Sequence, residues 1–234
     1  MQPWRNIVGW ALCGIALSLA GSGCHGRSQG AASRGGGAAS SPADAAATFP
    51  ATGTRPATNQ AAKIVLAARA QVGRTTVYDP AYVRLAYPGG DVPVEKGVCA
   101  DVVVRALRDA LDLDLQKLVH EDMEKAFPEY PRKWGLRQPD SNIDHRRVLN
   151  LMKYFDRAGC SRPVTSSADD YAPGDIVTCT VPPNLPHVMI VSDRATPEGA
   201  PYVIHNIGRG AKEEARLFEF PITGHYRLER QSGQ

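Results

Sequence analysis

A chain of 234 residues, of which 43% are hydrophobic and 22% are charged, can form the packed core of one ordinary domain. The formal net charge is only +3 and no block rich in Lys and Arg stands out, so the composition gives no support for a nucleic-acid partner. Local composition divides the chain into residues 1–24, 25–59 and 60–230. We predict these to be an export signal, a flexible tether and one folded domain.

The first segment, residues 1–24, has the pattern of an export signal. MQPWR, with one basic residue, is followed by the apolar and small residues NIVGWALCGIALSLAGSG and then by Cys24. Small residues directly before a cysteine resemble a bacterial lipoprotein signal. The resemblance implies lipidation of Cys24 and a membrane-anchored protein in the periplasm or cell envelope. Plain cleavage near Gly23 and an uncleaved N-terminal anchor are the alternatives.

The second segment, residues 25–59, is almost entirely Gly, Ala, Ser, Thr and Pro, as in GAASRGGGAASSPADAAATFPATGTRPATN. Such a stretch buries too little apolar surface to offset the entropy of ordering its backbone. It is therefore predicted to be a flexible tether.

The folded segment begins with helices. Apolar spacing predicts helices over 59–73, from Cys99 onward, over 120–127 and over 143–159, the last capped by Ser141 or Asn142. The helix that begins at Cys99 has one continuous apolar stripe, formed by Cys99, Val102, Val103, Ala106, Leu107, Ala110 and Leu111. The charged residues on its other side are Arg105, Arg108, Asp109 and Asp112.

Short β-branched or aromatic runs follow, bounded by Pro, Gly and Asn. They are GDIVTCTV, HVMIVSD, PYVIHNI, RLFEF and GHYRLE. Helices followed by a run of strands predict an α+β domain, with N-terminal helices packed on a C-terminal antiparallel sheet.

The chain has five cysteines, Cys13 and Cys24 in the first segment and Cys99, Cys160 and Cys179 in the domain. An odd number in the domain leaves at least one thiol outside any internal disulfide. A Cys160–Cys179 disulfide and two separate buried thiols are both compatible with the spacing. No pair has CxxC spacing, so a structural zinc site is not expected and no cofactor is predicted.

Cys99 is the candidate nucleophile, because unpaired N–H groups at a helix start lower the pKa of a thiol. Asp101 acts against this effect, so a histidine base held by a third polar group is needed. His187 and His205 lie on successive predicted strands, from which both can point toward a helix packed on the sheet.

This order resembles the NlpC-like branch of papain-fold cysteine peptidases. The segments PGDIV, HVMIVSD and VIHNIG match that branch in order, and YPGG resembles its element upstream of the cysteine. Together, GVCADVV, HED, NIDHRR, HNIG and TGHYR resemble an uncharacterised family of exported bacterial proteins, a domain of unknown function grouped with that branch. One departure is VCAD, where NlpC-like enzymes usually have DCSG.

The resemblance implies a papain-like fold in which Cys99 is the nucleophile, His187 the general base and His205 the orienting group. Tyr87 is the implied oxyanion residue, and Asn206 is the alternative orienting residue. Amide hydrolysis in peptidoglycan stem peptides is the implied reaction. The alternatives are a non-catalytic tethered binding protein on the same fold and an acyltransferase with the same triad. Candidate substrate contacts are Asp101, Asp144, His145 and Arg146, and the segment 112–167 is a candidate lid or substrate wall.

Overall fold

The computed structural model describes Arg55 and residues 57–228. The predicted export signal with Cys13 and Cys24, most of the tether, and residues 229–230 of the predicted domain lie outside the described residues.

Within the described residues, the domain has four α-helices, and all four contribute to one hydrophobic core. They are α1 (Asn59–Arg69), α2 (Cys99–Leu111), α3 (Leu115–Ala126) and α4 (Val148–Arg157). α1 begins where the Thr58 hydroxyl accepts a hydrogen bond from the Ala61 N–H at 3.1 Å. α2 ends at Asp112, whose left-handed backbone (φ 57°) stops the helix. None of the described helices has the length and apolar character needed to cross a membrane.

The helix predicted over 143–159 is interrupted near its start. Asp144–Arg146 forms a short 3₁₀ turn, Arg147 is extended, and the α-helix begins only at Val148. The helix predicted over 120–127 starts five residues earlier, because Asp114 caps α3 by accepting from the Gln116 N–H. Both α3 and α4 contribute to the main core, so the segment 112–167 is a packed part of the domain.

The sheet has five antiparallel strands in the order β6–β5–β4–β3–β7. Its strands are β3 (Ile176–Val181), β4 (Leu185–Ala195), β5 (Pro201–Asn206), β6 (Ala211–Glu214) and β7 (Ile222–Tyr226). A small parallel pair, β1 (Val77–Tyr78) with β2 (Lys96–Gly97), precedes α2. The mixed α+β architecture with an antiparallel sheet is confirmed.

Two strand predictions differ from the structure. Arg216–Phe220 forms no strand, because this segment turns back and buries Leu217 while Phe218 stays exposed. The strand in this region is β6, whose sequence AKEE is mostly polar because it forms an edge of the sheet.

The two faces of the sheet pack against different cores, since side chains alternate along a strand. Val188, Ile190 and Ile204 face the helices in the main core. Met189 and Val203 face the other side, in a second core with Tyr171 and Leu217.

α2 is buried on both sides from Cys99 to Leu107, not only along its apolar stripe, whereas Asp109 is exposed. Arg105, predicted on the solvent side, is 5% exposed. Its guanidinium forms an ion pair with Asp91 at 2.8 Å and donates to the carbonyls of Val92 and Lys96. Arg105 therefore ties the loop that leads into Cys99 to the helix that follows it.

Candidate active site

Two hydrogen bonds fix the backbone directly before Cys99. Asn206 Nδ2 donates to the Gly97 carbonyl at 3.0 Å, and the Val98 N–H donates to Asp101 Oδ2 at 2.6 Å. A Cβ at position 97 would lie 3.1 Å from the Asp101 Cβ, closer than an ordinary contact, so a side chain there would press on Asp101. The first turn of α2 is thus held to both β5 and its own third residue.

The Cys99 thiol is buried, with the residue only 4% exposed. Backbone N–H groups of Val188, Ala100 and Cys99 itself point to the sulfur. Burial nevertheless raises the pKa of Cys99 to about 11, helped by the nearby Asp101 carboxylate, because a thiolate loses more hydration than these donors return. The N–H groups at the helix start lower the pKa of this thiol as expected, but burial outweighs them and the net shift is upward.

His187 and His205 form a hydrogen-bonded pair, with His187 Nε2 and His205 Nδ1 2.8 Å apart. The ring centroids are 5.0 Å apart at 73°, an edge-to-face arrangement. Both residues alternate with members of the second core, so they lie on the sheet face away from the helices, not toward them as expected. The sulfur of Cys99 lies near the backbone N–H of Val188, the residue that follows His187 on β4.

Both imidazoles are neutral in this environment. Burial, with a smaller effect of His205, lowers the pKa of His187 to about 3. Burial also lowers the pKa of His205, although its contact with Glu214 acts in the opposite direction. Since the thiol is neutral as well, the site holds no preformed thiolate–imidazolium pair.

The Tyr78 hydroxyl is the aromatic group at the thiol. Tyr78 pairs with Gly97 across β1 and β2, which places its side chain near Cys99. Partial burial, together with the Cys99 and Asp101 charges, raises the pKa of Tyr78 to about 12. It is a neutral donor at physiological pH, and it is 38% exposed, so it connects the buried thiol to the surface.

A family model described as a domain of unknown function (DUF1287) matches residues 65–228. The chain belongs to the DUF1287 family. An Escherichia coli (strain K12) relative described as uncharacterized protein YijF is 58% identical over 160 residues, which cover 68% of this chain and 78% of the relative. No solved structure matches. The DUF1287 match includes the whole candidate site, from Tyr78 to Glu214.

Two other expectations about the DUF1287 site change. Tyr87 is not at the thiol: its ring packs edge-on against His120 at 5.2 Å. Asn206 does not orient His187, since its amide is engaged by the Gly97 carbonyl and the Gly208 N–H. No sequence motif marks Tyr78. Its position near Cys99 follows from the two-residue parallel pairing of β1 with β2, the strand before Cys99.

The four candidate substrate contacts are buried, so none of them presents its side chain to solvent. Asp101 and Arg146 form a buried two-point ion pair, with both N···O distances 2.9 Å. Asp144 and His145 are each 1% exposed, and Asp144 accepts from the backbone N–H of Asp140. These side chains hold together the turn before α4 and the first turn of α2.

No disulfide joins Cys160 to Cys179. Cys179 is a fully buried thiol opposite His187 on the neighbouring strand. Within the described residues, no group of three or more His, Cys, Asp or Glu side chains is arranged to hold a metal ion. A groove of about 1170 Å³ between α1 and the end of α2 contains none of the candidate catalytic residues, so cavity volume does not mark the site.

Proposed function

We propose that this DUF1287 domain is a cysteine hydrolase with a papain-like, NlpC-like fold that cleaves amide bonds. The observation that carries the proposal is the His187–His205 hydrogen bond, together with a thiol at a helix start whose sulfur lies near the backbone N–H of Val188, the residue after His187. A nucleophile, a base and a group that orients the base are the minimum set for thiol-dependent acyl transfer.

In the proposed reaction, the free ring nitrogen of His187 takes the proton from Cys99 as the sulfur attacks the substrate carbonyl carbon. The C=O π electrons move to oxygen, and the Tyr78 hydroxyl and the backbone N–H of Cys99 donate to this oxyanion. One such donor contributes about 3 kcal/mol to the transition state. His187 then gives its proton to the departing amine, which leaves a thioester on Cys99. Water, deprotonated by His187, then adds to the thioester carbon. The C–S bond breaks to release the acid, and His187 returns the proton to the Cys99 sulfur.

Burial of the site favours general-base transfer over a resting ion pair. A neutral thiol next to a neutral imidazole can pass its proton once a polar substrate is present, in a site that excludes bulk water. Tyr78, the partly exposed member, lies where a substrate would enter.

Peptidoglycan stem peptides are the proposed substrates. The support is the sequence pattern of an export signal and the resemblance to NlpC-like enzymes. In this proposal the protein acts in the cell envelope, anchored to the membrane by a lipid on Cys24, with the Gly/Ala-rich segment as its tether.

The test is mass spectrometry of purified peptidoglycan incubated with the wild-type protein, with Cys99→Ala and with Cys179→Ala. Cys179 is the matched control, because it is a buried thiol of the same site region with no proposed chemistry. New stem-peptide fragments from the wild type and Cys179→Ala, but not from Cys99→Ala, support the hydrolase. Fragments that persist in Cys99→Ala would refute it.

The closed site itself favours a second candidate, a tethered binding protein on the same fold. Cys99 and His187 are each 4% exposed and His205 is 1% exposed, so no reactive atom is accessible without movement. Equal binding of peptidoglycan by the wild type and Cys99→Ala, with no new fragments, would establish this alternative. An acyltransferase with the same triad would instead join the acyl group to an amine, which the product masses distinguish.

A further inference from the structure

A glutamate extends the histidine pair on its far side. Glu214 Oε2 lies 3.3 Å from His205 Nε2, and the same oxygen lies 3.3 Å from Arg216 Nε. Glu214 sits on β6, opposite Val203, and therefore on the same sheet face as His205. The polar series then runs from Glu214 through His205 to His187.

The hydrogen-bond partners determine where each ring carries its proton. A carboxylate only accepts hydrogen bonds, so the neutral His205 ring must place its proton on Nε2. His205 Nδ1 is then an acceptor, and His187 must donate to it from Nε2. The neutral His187 ring has no second proton, so its Nδ1 keeps a lone pair.

We propose that Glu214 is a positioning residue that sets the tautomers of both histidines and so leaves His187 Nδ1 as the base for Cys99. The catalytic meaning of this assignment rests on the proposed hydrolase function. The tautomers themselves do not, because they follow from the hydrogen bonds of the protein alone.

The adjacent glutamate does not share this role. Glu213 points to the helix side of the sheet, where it pairs with Arg69 at 2.7 Å and accepts from the Ser192 hydroxyl. The two neighbouring glutamates on β6 thus lie on opposite faces of the sheet, and of the two only Glu214 contacts a histidine.

Two substitutions of Glu214 test whether His205 needs a hydrogen-bond acceptor at this position. Glu214→Gln keeps an oxygen that can accept from His205, whereas Glu214→Lys offers only donors. Glu219→Lys is the matched control, because it makes the same change of charge beside Arg216 without a hydrogen bond to either histidine.

The readout is the pair of ¹⁵N chemical shifts of each imidazole, measured by NMR on the full chain at neutral pH. We expect Nε2–H tautomers for both histidines in the wild type, Glu214→Gln and Glu219→Lys. In Glu214→Lys, both rings should carry the proton on Nδ1. An Nδ1–H tautomer of His205 in the wild type, or unchanged tautomers in a folded Glu214→Lys protein, would overturn the assignment.

Peptidoglycan turnover adds a second, separable readout. A wrong tautomer lowers kcat by about 10⁴-fold in the serine-protease triad, so Glu214→Lys should lose most of the activity while Glu219→Lys retains it. If the wild type is inactive but its tautomers respond to Glu214→Lys, the proposed function fails and the positioning role stands. If the wild type is active but the tautomers do not change in Glu214→Lys, the proposed function stands and the positioning role of Glu214 fails.

Discussion

Arg146→Met should strongly destabilise the domain, because it leaves a buried carboxylate without its cation. Asp101 is 2% exposed and Arg146 is 6% exposed, and two N–H···O bonds of 2.9 Å join them. Arg146 also donates to the carbonyls of Asp79 and Ala81, so its loss frees the segment that follows β1.

Removing one partner of a buried ion pair costs about 3–5 kcal/mol. At roughly 2–4 °C per kcal/mol for a domain of this size, the midpoint of thermal unfolding should fall by about 6–20 °C. The assays are thermal unfolding and urea unfolding, both followed by circular dichroism, with Arg84→Met as the control. Arg84 is exposed, so its replacement should change the free energy of unfolding by no more than about 0.5 kcal/mol.

The result also decides between a structural and a substrate-binding role for Arg146. An Arg146→Met protein within 1 kcal/mol of the wild type would refute the structural reasoning. Unchanged stability with a raised KM for peptidoglycan would instead support the substrate-binding role of Arg146 that was expected from the sequence.

Three further outcomes follow from the site and its surroundings. Burial raises the pKa of Cys99 to about 11, so iodoacetamide should label this thiol more than about 100-fold more slowly in the folded protein than in urea, both at neutral pH. Peptide mapping measures the two labelling rates, and equal rates would contradict the raised pKa. Tyr78→Phe should lower kcat by about 10²–10³-fold with little change in the unfolding midpoint, and unchanged turnover would remove the hydroxyl from the oxyanion site. Burial alone would raise the pKa of Asp175, but hydrogen bonds from Arg227 and His225 hold it below its usual value. The Asp175 carboxylate therefore stabilises the fold above its unfolded pKa, and this contribution is lost as pH falls through the lower folded value. Acid titration of the unfolding free energy should show a smaller decrease in Asp175→Asn, and an identical decrease would contradict this assignment.

The helices and strands that bury apolar side chains at regular spacing could be predicted from the sequence. The stripe from Cys99 to Leu111 and the strands around Val177, Ile190 and Val203 bury apolar side chains, and hydrophobic periodicity reports burial directly. The sequence did not predict β6, because an edge strand needs few apolar residues. Arg105 was assigned to solvent because a helix pattern cannot show that a loop with matching carbonyls covers its polar side.

The site was predictable in its order along the chain and less so in its surroundings. Cys99, His187 and His205 follow one another in a recognisable motif order, and the structure brings the two histidines into contact. Tyr78, Glu214 and the burial of Arg146 depend on contacts between segments distant in sequence, for which no local pattern exists. Burial likewise decided the direction of the thiol pKa, against the effect of the helix start.

The most direct test of the account is to trap the acyl group on the enzyme. Peptidoglycan digestion would be stopped with acid, and the Cys99 peptide would be examined by mass spectrometry in the wild type and in His187→Ala. The account predicts a hydroxylamine-sensitive stem-peptide thioester on Cys99 in the wild type and its loss in His187→Ala. Stem-peptide cleavage with no adduct on Cys99, and at an undiminished rate in His187→Ala, would contradict it.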